Sequence, residues 1–342
     1  MKLSELGEFR TINLIHKIVN KFADPQQLSQ QNLLLGIGDD TAAWQGNCST
    51  QLATTDTLVQ DVHFHLNTIT WEELGWKSLA VNLSDIAAMG GSPQYALVSL
   101  AIPANLSSQH ISAFYEGMAS LAAKFGVSIV GGNLSSAPYV VITITVIGYS
   151  ESNKLLLRST AKTGDQIAVT GHLGLSRAAL KVLENNIKLP TEAFELFRQR
   201  QFRPIPRINE GQTLLKQGVK TAIDISDGLV ADLMHICKAS KVNAKIFMDR
   251  IPIHPLLKAN FTEYKKIALC GGEDYELLFT ANKDTIKILK RILDCPITVI
   301  GDIVNKELSA RVVLLDDKGR IAPCEENGWD HFRDVHLTHK IR

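Results

Sequence analysis

Four short acidic segments at the junctions of apolar stretches most constrain what this chain can fold into. They are residues 33–41 (LLLGIGDDT), 54–57 (TTDT), 82–85 (NLSD) and 224–228 (DISDG). Carboxylates placed where strands end and helices begin suit a hard divalent cation, which prefers oxygen ligands. A single Gly-Asp-Asp is typical of a plain turn, because glycine and aspartate dominate turns for backbone reasons. The set of four favours a magnesium site for a phosphate ester.

The size and composition of the chain predict a globular protein with two domains. Its 342 residues exceed the length at which one core usually keeps growing, and the polar stretch 150–154 (SESNK) predicts domains at residues 1–150 and 151–342. The net charge of +1 gives no general attraction for nucleic acid or an anionic membrane. No apolar run has membrane-spanning length, and no signal peptide is expected. The scattered cysteines favour the reducing cytoplasm over a disulfide framework or a zinc knuckle.

In the first half, hydrophobic periodicity predicts an alternation of strands and helices. It predicts a helix at residues 107–125 and strands at residues 95–102, 128–133 and 139–148. Residues 33–37 and 51–55 are expected to be short strands, and each is followed by acid: Asp39 and Asp40 after the first, Asp56 after the second. Ligands gather beyond the ends of strands in open α/β sheets. This placement therefore strengthens the prediction of a cation site.

The segment 71–89 has an apolar stripe at helical spacing and predicts a long helix. Lys77 and Asp85 lie off that stripe, and a solvated helix face accounts for Lys77 but less well for Asp85. Earlier in the chain, His63 and His65 would share one face of a strand. A substrate contact by His63 and an ordinary loop histidine stay open as alternatives. A metal-binding histidine pair is disfavoured, because no cysteine or second histidine cluster lies nearby.

Three segments of the second half have both a functional and a plain interpretation. Residues 170–176 (TGHLGLS) allow a phosphate-binding turn on backbone N–H groups or a simple tight turn. The four arginines between residues 198 and 207 allow an anion site or a basic linker. At residues 224–228, Asp227 fits the N-cap of a helix, but capping leaves Asp224 unexplained.

Motifs of several other enzyme classes are missing from the sequence. It has no Walker A motif, no protein-kinase catalytic loop, no Gly-x-Ser-x-Gly elbow and no His-Glu-x-x-His helix. An acid-rich cleft with glycine turns suits a nucleotide triphosphate clamped through several magnesium ions. Phosphoryl transfer fits such a site, because positioning and charge neutralisation carry most of that reaction.

Five motifs together resemble the thiamine-monophosphate kinase family. They are residues 36–40 (GIGDD), 55–59 (TDTLV), 80–90 (AVNLSDIAAMG), 224–228 (DISDG) and 271–276 (GGEDYE). The resemblance runs in order along essentially the whole chain, from GEF at 7–9 to GWDHF at 328–332. The VNLSD and GGEDYE blocks are highly specific in combination.

This resemblance implies an α/β (α+β) fold shared with aminoimidazole-ribonucleotide synthetase and selenophosphate synthetase. In that fold two α/β domains occur, and the N-terminal domains pair their sheets into a barrel across a homodimer. The implied reaction is direct in-line transfer of the ATP γ-phosphate to thiamine monophosphate, which gives thiamine diphosphate and ADP. Residues 1–150 would bind ATP and magnesium and dimerise, and residues 151–342 would add magnesium, ATP and substrate contacts.

The matching motif positions also imply site residues. The magnesium ligands would be Asp40, Thr54, Thr55, Asp56, Asp85, Asp224 and Asp227. The ATP contacts would be Tyr115, Gly132, Asn133, Arg158 and Ser226. The thiamine side would use His63, Glu273 and Trp329, the tryptophan by stacking on a ring of the substrate. No residue is implied as an acid or a base, since a phosphate nucleophile does not require one at neutral pH.

One position departs from the family pattern. The family usually has Gly-Gly-Asp where this chain has Gly131-Gly-Asn133, and that aspartate is a magnesium ligand. Asparagine keeps a carbonyl oxygen but loses the charge, so we expect a working kinase with an altered metal demand. Two rivals stay open: a sibling ATP-dependent synthetase of the same fold, and a non-catalytic magnesium-nucleotide-binding protein, which Asn133 motivates.

Overall fold

The structure is a computed structural model, and it describes part of the chain. The described residues are 2, 5, 8–22, 33–35, 37, 43–44, 46, 50–150, 154–305 and 311–322. Asp39, Asp40 and Trp329 lie outside these residues, as does the whole segment 328–332, so the predictions made for them stay predictions. No helix in the described ranges is long and apolar enough to cross a membrane.

The chain divides into two units. Unit 1 consists of Met1–Ile86 and Gly91–Asn153, and unit 2 of Ala87–Gly90 and Lys154–Arg342. The change of unit after Asn153 falls within the polar stretch that the sequence offers as a boundary. The functional roles assigned to the two parts remain predictions.

Among the described residues, unit 1 contains three helices and six strands, with the end of the second helix counted in unit 2. The helices are α1 (Glu8–Phe22), α2 (Trp71–Ala88) and α3 (Ser108–Lys124). The strands are β1 (Leu33–Leu35), β2 (Ala43–Trp44), β3 (Thr50–Val59), β4 (Ser92–Ile102), β5 (Ser128–Ser136) and β6 (Val141–Ser150).

Four of these strands form one sheet in the order β3-β6-β4-β5, in which only the β4–β5 pair is parallel. Side chains alternate across it as the sequence predicts: Ile142 and Ile144 on β6 are buried, whereas Thr143 and Thr145 between them are partly exposed. The alternation gives the sheet one covered face and one open face.

Helix α2 is buried around its circumference, which contradicts the solvated face expected at Lys77. Lys77 is only 1% exposed. On the Gly75 side the helix packs closely against α3: a Cβ added to Gly75 would lie 1.8 Å from the Phe114 carbonyl oxygen, and one added to Gly117 would lie 1.9 Å from the Glu72 carbonyl oxygen. Glycine at these positions lets the two backbones touch.

Unit 2 contains seven further helices and seven strands among the described residues. The helices are α4 (Leu175–Asn185), α5 (Thr191–Phe202), α6 (Ile208–Lys216), α7 (Leu229–Ser240), α8 (Pro255–Asn260), α9 (Tyr264–Cys270) and α10 (Lys283–Ile292). The strands are β7 (Gln166–Thr170), β8 (Thr221–Asp224), β9 (Asn243–Phe247), β10 (Leu277–Ala281), β11 (Ile297–Val304), β12 (Val312–Leu315) and β13 (Ile321–Ala322).

These seven strands form a mixed sheet in the order β13-β12-β9-β11-β7-β10-β8. Only β9 and β12 pair in parallel. Strands β8 and β10 are buried at every position, as expected for short apolar strands covered on both faces. Helix α7 follows β8 directly, so the segment between them lies at the end of a buried strand.

Two predicted strand ends are wrong. Strand β3 does not end at Thr55 but continues through Asp56 to Val59, and β5 continues through Asn133 to Ser136. Pairing along their whole length with β6 and β4 keeps both strands extended past the polar residues. Asp56 and Asn133 therefore lie within strands rather than beyond their ends.

Candidate active site

In unit 1, three predicted magnesium ligands meet on the covered face of the sheet. Thr54 and Asp56 lie on the same face of β3, and the Thr54 hydroxyl donates to Asp85 Oδ2 on α2 at 2.5 Å. Burial, and then the repulsion from Asp85, raise the pKa of Asp56 to about 6. Two carboxylates that disfavour each other's charge form a set that a divalent cation would stabilise.

Thr55 is adjacent in sequence but faces the other way. Its hydroxyl lies on the open face, where it donates to the Ile144 carbonyl at 3.1 Å and accepts from the Thr145 hydroxyl at 3.1 Å. Gln60 N–H donates to the Val140 carbonyl at 2.9 Å, so the even-numbered residues of β3 direct their backbone N–H and C=O groups toward β6. The odd-numbered residues direct theirs away from β6, and the carbonyl of Thr55 is one of these. Thr55 can therefore contribute to the Asp56 side only through its backbone oxygen.

Gly132 and Asn133 lie on β5, at the opposite edge of the sheet from β3. A Cβ at Gly132 would lie 1.9 Å from the Val98 carbonyl oxygen, so this position accepts only glycine. Asn133 is exposed and aligned with Ser99 of β4. Three strand spacings separate β5 from β3, roughly 14 Å. Within one chain, Asn133 cannot share an ion with Asp56.

His63 lies in the loop after β3, so the prediction that a strand would align it with His65 is wrong. His63 Nδ1 accepts a hydrogen bond from the Val59 N–H at 3.0 Å, which places the proton of the neutral ring on Nε2. His65 instead pairs with Asp61 at 3.2 Å.

Tyr115, a predicted ATP contact, is buried in the core of unit 1. Its side chain is only 3% exposed, and its ring meets that of Phe114 edge-on at 5.4 Å. Burial raises the pKa of the Tyr115 hydroxyl. In the described part of the chain, Tyr115 therefore packs in the core of unit 1.

In unit 2, the predicted ligands Asp224 and Asp227 flank the turn from β8 into α7. Asp224 is the last residue of the strand and is buried. The backbone N–H groups of Ser226, Asp227 and Gly228 each donate to Asp232 Oδ2 at 3.1 Å. The N-cap residue is Gly228, without a side-chain cap, so Asp227 does not cap α7.

Asp232 was missed by the sequence reasoning. It belongs to the first turn of α7, is 2% exposed, and folds back over the loop that precedes the helix. Burial and the charges of Asp224 and Asp227 raise its pKa to about 8. The sequence feature that could have identified Asp232 is its place in the first helical turn after DISDG, where the helix dipole favours negative charge. This concentration of carboxylates also fits a divalent cation.

Two other side chains are close to Asp227. Candidate ligand atoms of Asp227, Asp232 and His235 lie within 4.8 Å of one another. Burial and the positive charge of Arg158 lower the pKa of His235, while Asp227 acts in the opposite direction. The Arg158 carbonyl accepts from the Ser240 hydroxyl at 2.8 Å. Unit 2 therefore brings the predicted ATP contact Arg158 near the predicted ligand Asp227.

The GGEDYE segment runs beside the same loop. Glu273 N–H donates to the Ser226 carbonyl at 2.8 Å, and Tyr275 N–H to the Ile225 carbonyl at 2.9 Å. Glu273 and Tyr275 have positive φ angles of 64° and 50°, a strained conformation for residues other than glycine. The predicted thiamine contact Glu273 is thus attached to the predicted ATP contact Ser226.

The turn at residues 170–176 is a tight turn rather than a phosphate loop. Gly171 N–H donates to the Pro296 carbonyl and Leu173 N–H to the Pro252 carbonyl. Gly174 N–H donates to Asp274 Oδ2 at 2.7 Å. Since the protein itself uses these donors, the phosphate-binding alternative is wrong.

The arginine cluster includes a structural ion pair. Arg207 donates to both oxygens of Glu276 at 2.7 and 2.6 Å, and the Thr170 hydroxyl donates to the same carboxylate at 2.6 Å. Both charged groups are largely buried. Burial alone lowers the pKa of Arg207, but the attraction and hydrogen bonds of Glu276 act in the opposite direction and raise that pKa overall. Arg207 is therefore committed to Glu276 rather than to an external anion.

Comparisons with known proteins agree with this picture. The family model described as AIR synthase related protein, N-terminal domain, matches residues 38–150. Thiamine-monophosphate kinase of Bacillus subtilis (strain 168) is 38% identical over 330 residues, which cover 94% of this chain and 99% of that relative.

Solved structures give the same result. Thiamine-monophosphate kinase from Stenotrophomonas maltophilia K279a aligns with a TM-score of 0.80 and 34% identity, over 90% of this chain and 97% of that chain. A structure of AaThiL complexed with AMPPCP and TMP aligns with a TM-score of 0.75 and 35% identity, over 97% and 99%. The predicted mixed α/β fold related to AIR synthase is confirmed. With 38% identity across nearly all of both chains, this chain belongs to the thiamine-monophosphate kinase family.

Proposed function

We propose that this protein transfers the γ-phosphate of ATP to thiamine monophosphate and so forms thiamine diphosphate and ADP. The single observation that carries the proposal lies in unit 2. Glu273, assigned to the thiamine side, donates its N–H to the carbonyl of Ser226, assigned to the ATP side, at 2.8 Å. Residues for the phosphoryl donor and the acceptor are therefore neighbours. The family membership and the solved relative with AMPPCP and TMP support the same reaction.

The carboxylates are proposed to hold several magnesium ions, which neutralise charge on the transferring phosphates. Unit 1 offers Thr54, Asp56 and Asp85 from their side chains and Thr55 from its carbonyl, with Asp40 predicted from the sequence. Unit 2 offers Asp224 and Asp227. The raised pKa of Asp56 supports this assignment, because such a carboxylate gains most when a cation is near. Burial and the charges of Asp224 and Asp227 raise the pKa of Asp232, so a cation at these two ligands would also relieve that repulsion.

No side chain is required as a general base in this proposal. The acceptor is a phosphate oxygen that is already ionised near neutral pH, so in-line attack needs alignment rather than proton removal. His63 fits a supporting role, since its neutral form carries the proton on Nε2 and can donate to a phosphate oxygen. Arg158 and Ser226 are proposed to orient ATP, together with Gly132.

The thiamine side is proposed to be recognised by charge and stacking. Glu273 offers a carboxylate to the cationic substrate, and Trp329 offers a ring surface. Tyr115 is retained only as a prediction for ATP, because its burial favours packing. The thiols of Cys237, Cys270 and Cys295 are compatible with the cytoplasmic location that the sequence predicts.

We further propose that unit 1 pairs with a second copy through its open sheet face and closes an eight-stranded barrel. Ring closure of two four-stranded sheets would place the β5 edge of one copy beside the β3 edge of the other. Asn133 would then approach the neighbours of Asp56 in the second copy, although about 14 Å separate the two edges within one chain. The open face, with its ladder of Thr55, Thr57 and Thr143, supports this arrangement.

One assay separates the proposal from its rivals. Purified protein is incubated with ATP, magnesium and thiamine monophosphate, and thiamine diphosphate is measured by chromatography. We expect one thiamine diphosphate for each ADP. ATP consumption that requires a different acceptor would favour a sibling synthetase, and nucleotide binding without turnover at any magnesium concentration would favour a binding protein. Light scattering tests the dimer, which a monomeric mass would contradict.

A further inference from the structure

Gln201 is a buried polar residue outside the motifs that identify the site. It lies on α5, is 1% exposed, and is surrounded along the helix by the buried apolar residues Ala193, Phe197 and Phe202. A buried amide needs partners for both its oxygen and its nitrogen, because burying either one unpaired is costly. The identity of those partners shows what the residue does.

Both partners of Gln201 border the candidate site. Its Nε2 donates to Glu273 Oε2 at 2.7 Å, and its Oε1 accepts from the hydroxyl of Ser176 on α4. Because the amide nitrogen of Gln201 donates to Glu273, its amide oxygen is the acceptor left for the Ser176 hydroxyl, which donates to it. These three residues, which we call the Ser176–Gln201–Glu273 relay, therefore have one consistent direction of hydrogen bonding.

Glu273 connects this relay to the loop of residues 224–228. Its N–H donates to the Ser226 carbonyl at 2.8 Å, and its φ of 64° is strained for a residue with a side chain. Such strain persists where the surroundings enforce it. Here the loop holds the backbone of Glu273, and Gln201 holds its carboxylate.

The following segment is held in the same way. Asp274 accepts from the N–H of Gly174 at 2.7 Å and from the N–H of Ser176 at 3.5 Å. The beginning of α4 therefore fixes Asp274 directly and Glu273 through Gln201. Two helices, α4 and α5, thus determine the placement of a short irregular segment in front of β10.

We propose that Gln201 is a positioning residue for substrate selection, which acts by fixing the carboxylate of Glu273 for the cationic thiamine side. The inference rests on the proposed function, in which Glu273 contacts thiamine monophosphate. A glutamate side chain that is already oriented loses less conformational freedom when the substrate binds. Because the relay ends on the Glu273 side chain, its loss weakens recognition of thiamine monophosphate more than that of ATP.

The test is the Gln201→Leu variant, which keeps the approximate size and removes both hydrogen bonds. We expect the KM for thiamine monophosphate to rise on the order of tenfold, the effect of losing a hydrogen bond to a charged group. The KM for ATP is expected to change less than about twofold on the same principle. Gln199→Leu is the matched control, because Gln199 is exposed on the same helix, and it is expected to leave both constants unchanged.

Two results would overturn the inference. One is a folded, active Gln201→Leu variant with an unchanged KM for thiamine monophosphate, and the other is an equal rise of both KM values, which a merely structural role would produce. If Gln201→Leu does not fold, Ser176→Ala decides in the same way, with a smaller rise expected. A wild-type protein that forms no thiamine diphosphate would refute the proposed function instead.

A double-mutant cycle adds a readout that packing alone does not move. Glu273→Gln removes the charge that the relay positions, so adding Gln201→Leu to it is expected to have little further effect on the KM for thiamine monophosphate. Full additivity of the two substitutions would show that Gln201 does not act through Glu273.

Discussion

The two units place their predicted magnesium ligands by different physical means. In unit 1, Thr54, Asp56 and Asp85 project from a paired strand and a buried helix, and the regular geometry of these elements sets their positions. In unit 2, Asp224 and Asp227 flank an irregular loop whose three N–H groups converge on Asp232.

This difference predicts different responses to substitution. Many ladder hydrogen bonds hold β3, so removing one ligand there affects that ligand and leaves its neighbours in place. In the unit 2 loop three N–H groups share one acceptor, Asp232, so substitution of that carboxylate is expected to affect the whole loop. The two predicted ligand sets thus differ in what holds them: strand register in unit 1, and in unit 2 the hydrogen bonds of the loop to Asp232 and to the GGEDYE segment.

The largest effect is expected for Asp85→Ala in unit 1. The change removes a carboxylate from the set formed with Asp56 and Thr54, and we expect kcat to fall at least about 100-fold, as for loss of a metal ligand. Thiamine diphosphate formation measures the effect. Asp284→Asn, which removes an exposed carboxylate on α10, serves as the control. Activity within threefold of the wild type would contradict the prediction that Asp85 is a magnesium ligand.

Asp232→Ala is expected to come next, and it tests the loop directly. Three buried or partly buried N–H groups lose their acceptor, so we expect roughly a 10- to 100-fold loss of activity, a higher magnesium requirement and a lower Tm. Asp232→Asn keeps an acceptor oxygen and is expected to retain more activity. Equal loss in both variants would show that the charge of Asp232 matters more than its geometry.

Asn133→Asp tests the metal role of position 133, which lies on β5 at the edge of the unit 1 sheet opposite β3. Adding a charge where the family usually has one is expected to lower the magnesium concentration for half-maximal rate severalfold, because carboxylate binds magnesium more strongly than an amide oxygen. Activity is measured against magnesium concentration. An unchanged profile would contradict the metal role of position 133.

The smallest effect concerns stability rather than catalysis, at Asp274. Burial raises the pKa of Asp274 to about 8 from its ordinary value of 3.8, although two backbone N–H groups act in the opposite direction. Between these pH values the folded protein keeps a proton that the unfolded chain has lost, so the free energy of unfolding falls as pH rises through this range. Asparagine does not titrate, so the Asp274→Asn variant lacks this fall in the free energy of unfolding with pH.

We therefore expect the Tm of Asp274→Asn to gain on that of the wild type from about pH 4 to about pH 8, and to run parallel above that range. Calorimetry of the two proteins at several pH values measures the difference. A Tm difference that does not depend on pH would show that Asp274 is ionised throughout.

The sequence predicted the order and type of most elements, because their apolar periodicity is strong. Helices α2 and α3 and strands β4 and β6 begin and end close to their predicted limits. It was wrong about Lys77, since the hydrophobic pattern marks the apolar face of α2 but does not show that the fold also covers the polar side of that helix. It also ended β3 before Asp56, since pairing with β6 carries the strand beyond the polar residues.

By itself, the sequence predicted which residues carry the chemistry: the DISDG and GGEDYE motifs, the acids of unit 1 and the departure at Asn133. The motifs that carry the family resemblance are local, so they can be read from the sequence without the fold. Only the tertiary structure decided how these residues are held. The contacts of Asp232 with its loop, of Gln201 with Glu273, and of Thr54 with Asp85 join residues brought together by folding. The separation of Thr55 from Asp56 follows from the face on which each side chain of β3 emerges, which pairing with β6 fixes.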